Sequence, residues 1–211
     1  MKTILCYGDS LTWGYDAEGL RHPFDVRWPN RLAAGLGEGF RVIAEGLNGR
    51  TTMFDDHSVM EDRNGARTLP VFLGSHQPLD LVVIMLGTND FKRFAGGGYA
   101  SSSRQGMARL VEIVKTYPFW TEFGRPETLV IAPPALTETS DPKCREMLGH
   151  AIDESRRLAQ LYREVAEEAG CHFFDAGNVC ATTAVDGIHL DTENTCRLGD
   201  ALVPVVRHIL H

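Results

Sequence analysis

The run Thr3-Ile4-Leu5-Cys6-Tyr7, followed at once by Gly8-Asp9-Ser10-Leu11, decides how the rest of the chain is read. A short apolar stretch stopped by Gly-Asp-Ser is the pattern of a buried strand breaking into a turn. A serine at that corner stands off the end of a sheet, where ligands of open α/β folds collect. Working outward, apolar runs recur at 41–45, 81–86, 128–132 and 172–175, and amphipathic stretches predict helices over 29–36, 102–116, 143–169 and 192–210. Pro29 suits the first turn of one helix, and Gly170 the stop of another. This alternation predicts an α/β three-layer sandwich, a parallel sheet with helices on both faces. Five strands suit the flavodoxin-like order 2-1-3-4-5. The 211 residues, with no repeat and no linker, predict one domain over 1–211.

Composition narrows the partners. Lys and Arg number 21 against 28 Asp and Glu, a net charge of −7, which argues against a nucleic-acid partner. The longest apolar stretch, Leu79 to Gly87, contains Asp80 and is too short for a bilayer, so no membrane partner is expected. The chain starts at Met-Lys directly before the first strand, and a cleaved leader would remove Ser10, so none is expected. The cysteines (Cys6, Cys144, Cys171, Cys180, Cys196) are odd in number and scattered. They predict free thiols in a reducing cytoplasm. Gly35-Leu36-Gly37-Glu38-Gly39 follows a helix and precedes a strand, the wrong polarity for a nucleotide loop, and no Walker loop is present. No cofactor and no metal are therefore expected.

The chemistry converges behind the first three strands, at Gly8-Asp9-Ser10, Asn48-Gly49-Arg50 and Gly87-Thr88-Asn89-Asp90. In a 2-1-3 order the first strand is central, so Ser10 is flanked by Gly49 and Asn89. The amides of Ser10 and Gly49 and the side-chain amide of Asn89 suit an oxyanion hole, each donor of which is worth roughly 2.7–4 kcal/mol of barrier. A serine needs a base. His189, three residues after Asp186 and ahead of the last helix, fits that role, with Asp186 fixing its tautomer. Asp9 reads as a residue that holds its own turn, and Asp90 as one that holds the loop of Asn89 and Ser10. Two long loops, Asp16–Arg27 and Phe91–Ser101, leave the same rim and read as pocket walls or contact surfaces. Two other readings use the same rim. One is a flavodoxin-like FMN- or phosphate-binding module, and the other a metal-assisted phosphoesterase built on Asp9, Asp186, His189 and Asp191.

Together these residues resemble the SGNH, or GDSL, hydrolase family. Gly8-Asp9-Ser10-Leu11 is similar to its first block, Gly49 to the oxyanion glycine of the second, Gly87-Thr88-Asn89-Asp90 to the third, and Asp186 with His189 to the last. Asp9-Ser10-Leu11-Thr12-Trp13-Gly14, Asp25-Val26-Arg27-Trp28, Glu45-Gly46-Leu47, Arg50-Thr51-Thr52 and Phe173-Phe174-Asp175-Ala176-Gly177 resemble the bacterial arylesterase and acyltransferase subgroup. The resemblance implies a serine esterase acting on short-chain esters, aryl acetates and acetylated sugars among them. It also implies acyl transfer to alcohols or peroxide, and a homo-oligomer whose interfaces narrow the pocket. Trp13 is expected to line an acyl pocket, with Phe91, Phe94 and Pro133-Pro134 as further apolar walls.

Overall fold

Side chains alternate across a strand, and β1 (Lys2–Gly8) uses that alternation to feed two cores. Leu5 and Tyr7 face one, Ile4 and Cys6 the other, and all four are fully buried. The computed structural model describes all 211 residues. After β1 come a one-turn helix α1 (Ser10–Trp13), α2 (Trp28–Leu36), β2 (Phe40–Gly46), α3 (Gly65–His76), β3 (Leu81–Met85) and α4 (Ala100–Thr116). Then follow β4 (Glu127–Ala132), α5 (Pro142–Leu148), α6 (Ile152–Ser155), α7 (Leu158–Ala169), β5 (His172–Asp175) and α8 (Thr192–Leu210).

All strand pairs are parallel and the order is β2-β1-β3-β4-β5, as the alternation of runs predicted. One core is sealed by Leu69 and Leu73 of α3, Met107 and Leu110 of α4, and Leu158 and Tyr162 of α7. The other is sealed by Trp28 and Leu32 of α2 and Leu198 and Leu202 of α8. Each such side chain contributes about 1.5–3 kcal/mol by leaving water. Register then sets the functional edge. Gly8 is paired with Gly46 on one side and Met85 on the other, so the three segments that follow emerge side by side.

Two helices differ from the sequence expectation. The stretch 143–169 is not one helix but α5, a 3-10 turn over Gly149–Ala151, α6 and α7. Leu148 leaves helical backbone at φ −133°. The buried Ser155 hydroxyl accepts Leu136 N (2.9 Å) and donates to Ile152 O (2.6 Å), a carbonyl it shares with Arg156 N at a stretched 3.4 Å as α6 ends. Helix α3 was not foreseen. Pro70 stands inside it, and an internal proline ordinarily argues against a helix. Its start did carry a signal, because Asn64 caps Arg67 N at 3.2 Å.

Candidate active site

Ser10 opens α1. The preceding Asp9 caps that turn by accepting Leu11 N at 3.0 Å, and Gly14 ends it in the left-handed region. The turn aims the Ser10 hydroxyl at His189. His189 Nε2 lies 2.9 Å from Ser10 Oγ, and His189 Nδ1 lies 2.6 Å from Asp186 Oδ2. The carboxylate fixes the tautomer: Nδ1 donates to Asp186, leaving Nε2 to accept from the serine. Asp186 is held by its own loop, since its Oδ1 accepts the amides of Ile188 and His189, each at 2.9 Å. Burial alone pushes the Asp186 pKa up; the hydrogen bonds from the His189 side chain and amide outweigh it and leave the carboxyl below its ordinary range.

Gly49 and Asn89 reach the same cavity as Ser10 and His189, a space of about 260 Å³. Gly49 has φ +82°, a conformation that an L side chain strains to adopt. Neither its amide nor that of Ser10 is spent on a backbone acceptor. Asn89 Nδ2 lies 3.3 Å from Asp9 Oδ2 and 3.2 Å from Arg50 O, at the long edge of hydrogen bonding. Its donors are thus held near the cavity but only loosely. Arg50 is 2% exposed and fastens this loop to the sheet. Its Nη1 donates to Gly8 O at 2.8 Å and also to Glu45 O, and its guanidinium lies 4.2 Å over the Tyr7 ring.

Asp90 does hold a loop, though a different one from that expected. It accepts Thr52 N (2.8 Å) and Thr52 Oγ1 (2.7 Å), tying the turn after β3 to the loop after β2. Burial raises its carboxyl to about 7 and that of Asp9 to about 6. Asp191 caps α8 through Asn194 N at 2.8 Å. It does not join Asp9, Asp186 and His189 in the arrangement that a metal reading required.

The expected apolar wall needs correction. Trp13 lines a separate cavity of about 170 Å³ with Arg21, Phe24 and Arg27, and the Arg21 guanidinium sits 4.1 Å over its ring. Phe91 is fully buried in the core beneath α4, and Phe94 is 63% exposed. Pro133 and Pro134 are buried away from the cavity lining. The aromatic at the site is Tyr15, whose ring packs on His189 with centroids 4.2 Å apart. The remaining wall comes from Met147 and Leu148 at the break after α5, from Arg63, and from Lys92. Lys92 follows Asn89 by three residues and was open to inference from that motif. Arg63 carries no local signal.

This geometry agrees with the comparisons. The model of the GDSL-like lipase/acylhydrolase family matches residues 6–194, and the chain belongs to that family. It is a carboxylic ester hydrolase, which sets aside the non-hydrolytic FMN- or phosphate-binding module. Among solved structures it is similar to a carbohydrate acetylesterase family member from Sinorhizobium meliloti, with 51% identity, a TM-score of 0.97, and 100% of this chain and 99% of that one covered. It is also similar to the native M. smegmatis aryl esterase, at 41% identity and a TM-score of 0.93 with both chains fully covered. A third relative is Est24, a carbohydrate acetylesterase from Sinorhizobium meliloti, at 40% identity and a TM-score of 0.93, with 99% of this chain and 100% of that one covered. No curated protein matches the chain. No helix is long and apolar enough to cross a membrane.

Proposed function

We propose that the chain, acting as one domain over 1–211, is a serine esterase for short-chain carboxylic esters, aryl acetates and acetylated sugars being the first candidates. The single observation that carries the reading is the continuous line from Asp186 through His189 to Ser10, with contacts of 2.6 and 2.9 Å. Ser10 Oγ attacks the acyl carbon while His189 Nε2 takes its proton, and Asp186 stabilises the imidazolium. The oxyanion is received by the Ser10 and Gly49 amides, with Asn89 Nδ2 turning from its long contacts to join them. The alcohol departs with the proton from His189. Water then resolves the acyl-enzyme, as does an alcohol or peroxide where acyl transfer competes.

The relatives' names support acetyl esters of aryl alcohols and carbohydrates. The modest cavity, closed by Met147 and Leu148, supports a small acyl group. An organophosphonate followed by peptide mapping tests the nucleophile. The expected label is on Ser10, and retained hydrolysis with label elsewhere overturns the assignment. Acetylated sugars, aryl acetates and a p-nitrophenyl chain-length series then define the substrate, and a maximum at C8 or longer contradicts a small acyl pocket.

Self-association belongs to the same proposal. The two rim loops carry exposed apolar side chains, Leu20 (85%) and Phe24 (71%) in one, Phe94 (63%) and Tyr99 (62%) in the other. Exposed apolar side chains on both loops suit an interface, and light scattering of the purified protein gives the number of subunits. Five unpaired thiols support a reducing, cytoplasmic setting.

A further inference from the structure

Two cations line the Ser10 cavity and have no part in the chemistry just described. Arg63 and Lys92 share a single carboxylate, Asp56. Arg63 Nη1 lies 2.7 Å and Lys92 Nζ 3.6 Å from the same oxygen, Asp56 Oδ2, and the side-chain exposures of Arg63, Lys92 and Asp56 are 18%, 9% and 0%. The other oxygen of Asp56 is occupied by the Ser58 amide and hydroxyl. One carboxylate therefore serves two charges and satisfies only one of them, because 3.6 Å is longer than a hydrogen bond.

Both cations line the cavity that holds Ser10 and His189. Arg63 Nε is buried and has no acceptor. Its guanidinium packs on Gly49 so closely that a Cβ there would lie 2.6 Å from Nε, which sets the free donor beside the proposed oxyanion glycine. The nearby acids are already engaged, Asp186 with His189 and Asp9 with Leu11 N. A buried charged donor left unpaired is costly, and a carboxylate with two oxygens is the acceptor that suits a guanidinium edge and an ammonium together.

We propose that Arg63 and Lys92 form a carboxylate-recognition site within the catalytic cavity, so that the preferred ester carries an anionic group on its acyl or its alcohol part. An acetylated hydroxy acid is one such ester. This rests on Ser10 being the nucleophile of that cavity. A pair that merely fastened Asp56 would favour neither an anionic ester nor its neutral counterpart.

Two ester pairs separate the sources of the charge. Monomethyl glutarate against dimethyl glutarate places the carboxylate on the acyl side. O-acetylglycolate against its methyl ester places it on the alcohol side. Calorimetric binding to Ser10→Ala protein reads recognition without turnover, and kcat/KM of the unmodified enzyme reads it with turnover. The expected result is a preference of about tenfold or more for the anionic member of at least one pair. It should shrink in high salt and collapse toward unity in Lys92→Met and in Arg63→Gln. Because the readout is a ratio, a general loss of activity in a variant cancels. Ratios at or below one in both pairs, or a preference untouched by Lys92→Met, overturn the proposal. A binding preference that persists in Ser10→Ala while the unmodified enzyme turns over no ester supports it and counts instead against the nucleophile.

Discussion

At the carboxyl edge of the sheet, the groups that hold His189 and Ser10 are matched donor to acceptor: Asp186 takes two amides and the imidazole, and Asp9 takes Leu11 N. In the wall built by Arg63 and Lys92, two cations face one carboxylate and a buried Nε has no acceptor. In the first region the serine, histidine and aspartate are paired without a ligand, and only the amides of Ser10 and Gly49 and the loosely held Asn89 are left to receive one. The second is incomplete, and it is there that a substrate gains by supplying what is missing. Chemistry here belongs to backbone-fixed strand ends, and selectivity to the loops and the broken helix around them.

The comparison breaks most sharply at the edge. Ser10→Ala and His189→Ala are each expected to lose several orders of magnitude, about 10⁴–10⁶ in kcat, with an unchanged circular dichroism spectrum. Activity within tenfold of the parent in either variant contradicts the triad. Asn89→Ala is expected to lose about 10²–10³ in kcat with little change in KM. A near-native rate removes Asn89 from the oxyanion hole and leaves its long contacts to Asp9 and Arg50 as purely structural.

Gly49→Ala sharpens the boundary between the two regions, because the added methyl meets Arg63 from a backbone at φ +82°. A loss of about 1–2 kcal/mol in denaturant unfolding is expected from the left-handed backbone alone, together with a fall in kcat. Unchanged stability and rate show that the loop relaxes freely.

Proton linkage distinguishes the buried acids under the edge. Asp90 is held at about 7 and Asp9 at about 6 by burial, whereas an unfolded aspartate titrates near 3.9. The folded state therefore binds more protons between about pH 4 and 7, and stability falls as pH rises through that window. Asp90→Asn, which keeps an oxygen for Thr52 N, is expected to flatten that slope in urea titrations. An unaltered slope assigns the linkage elsewhere. The smallest effects are those of the two aromatics. Tyr15→Ala is expected to cost about 2–10-fold in kcat/KM by freeing the His189 ring, and Trp13→Ala to stay within about twofold on the same small ester. The reverse order restores Trp13 to the pocket.

Much of this architecture was legible because it is periodic. The five strands lie where alternating or continuous apolar runs stand, and the three polar motifs behind the first three are neighbours because parallel strands end on one edge. The proposed nucleophile and oxyanion donors followed from residue chemistry at those ends, and the proposed acid and base, Asp186 and His189, from their spacing ahead of α8. Helix α3 was hidden by Pro70, whose cost is met by tertiary burial of Leu69 and Leu73. The break after α5 was hidden because helical periodicity continues on both sides of it, while the chain leaves helical backbone at Leu148 and enters a 3-10 turn over Gly149–Ala151. Trp13 and Tyr15 are two residues apart across Gly14, and only the direction of that turn decides which ring meets His189.

Local pattern determined the strands and the alternating layers, since hydrophobic alternation and turn chemistry act over a few residues, and the motifs behind the strands with the family they resemble gave the kind of reaction. Tertiary structure decided which side chains wall the cavity and which charges are left over. Asp56 and Arg63 stand seven residues apart in the loop between β2 and α3, whereas Lys92 follows β3, and whether a buried charge is paired is a property of distances that no spacing along the chain encodes.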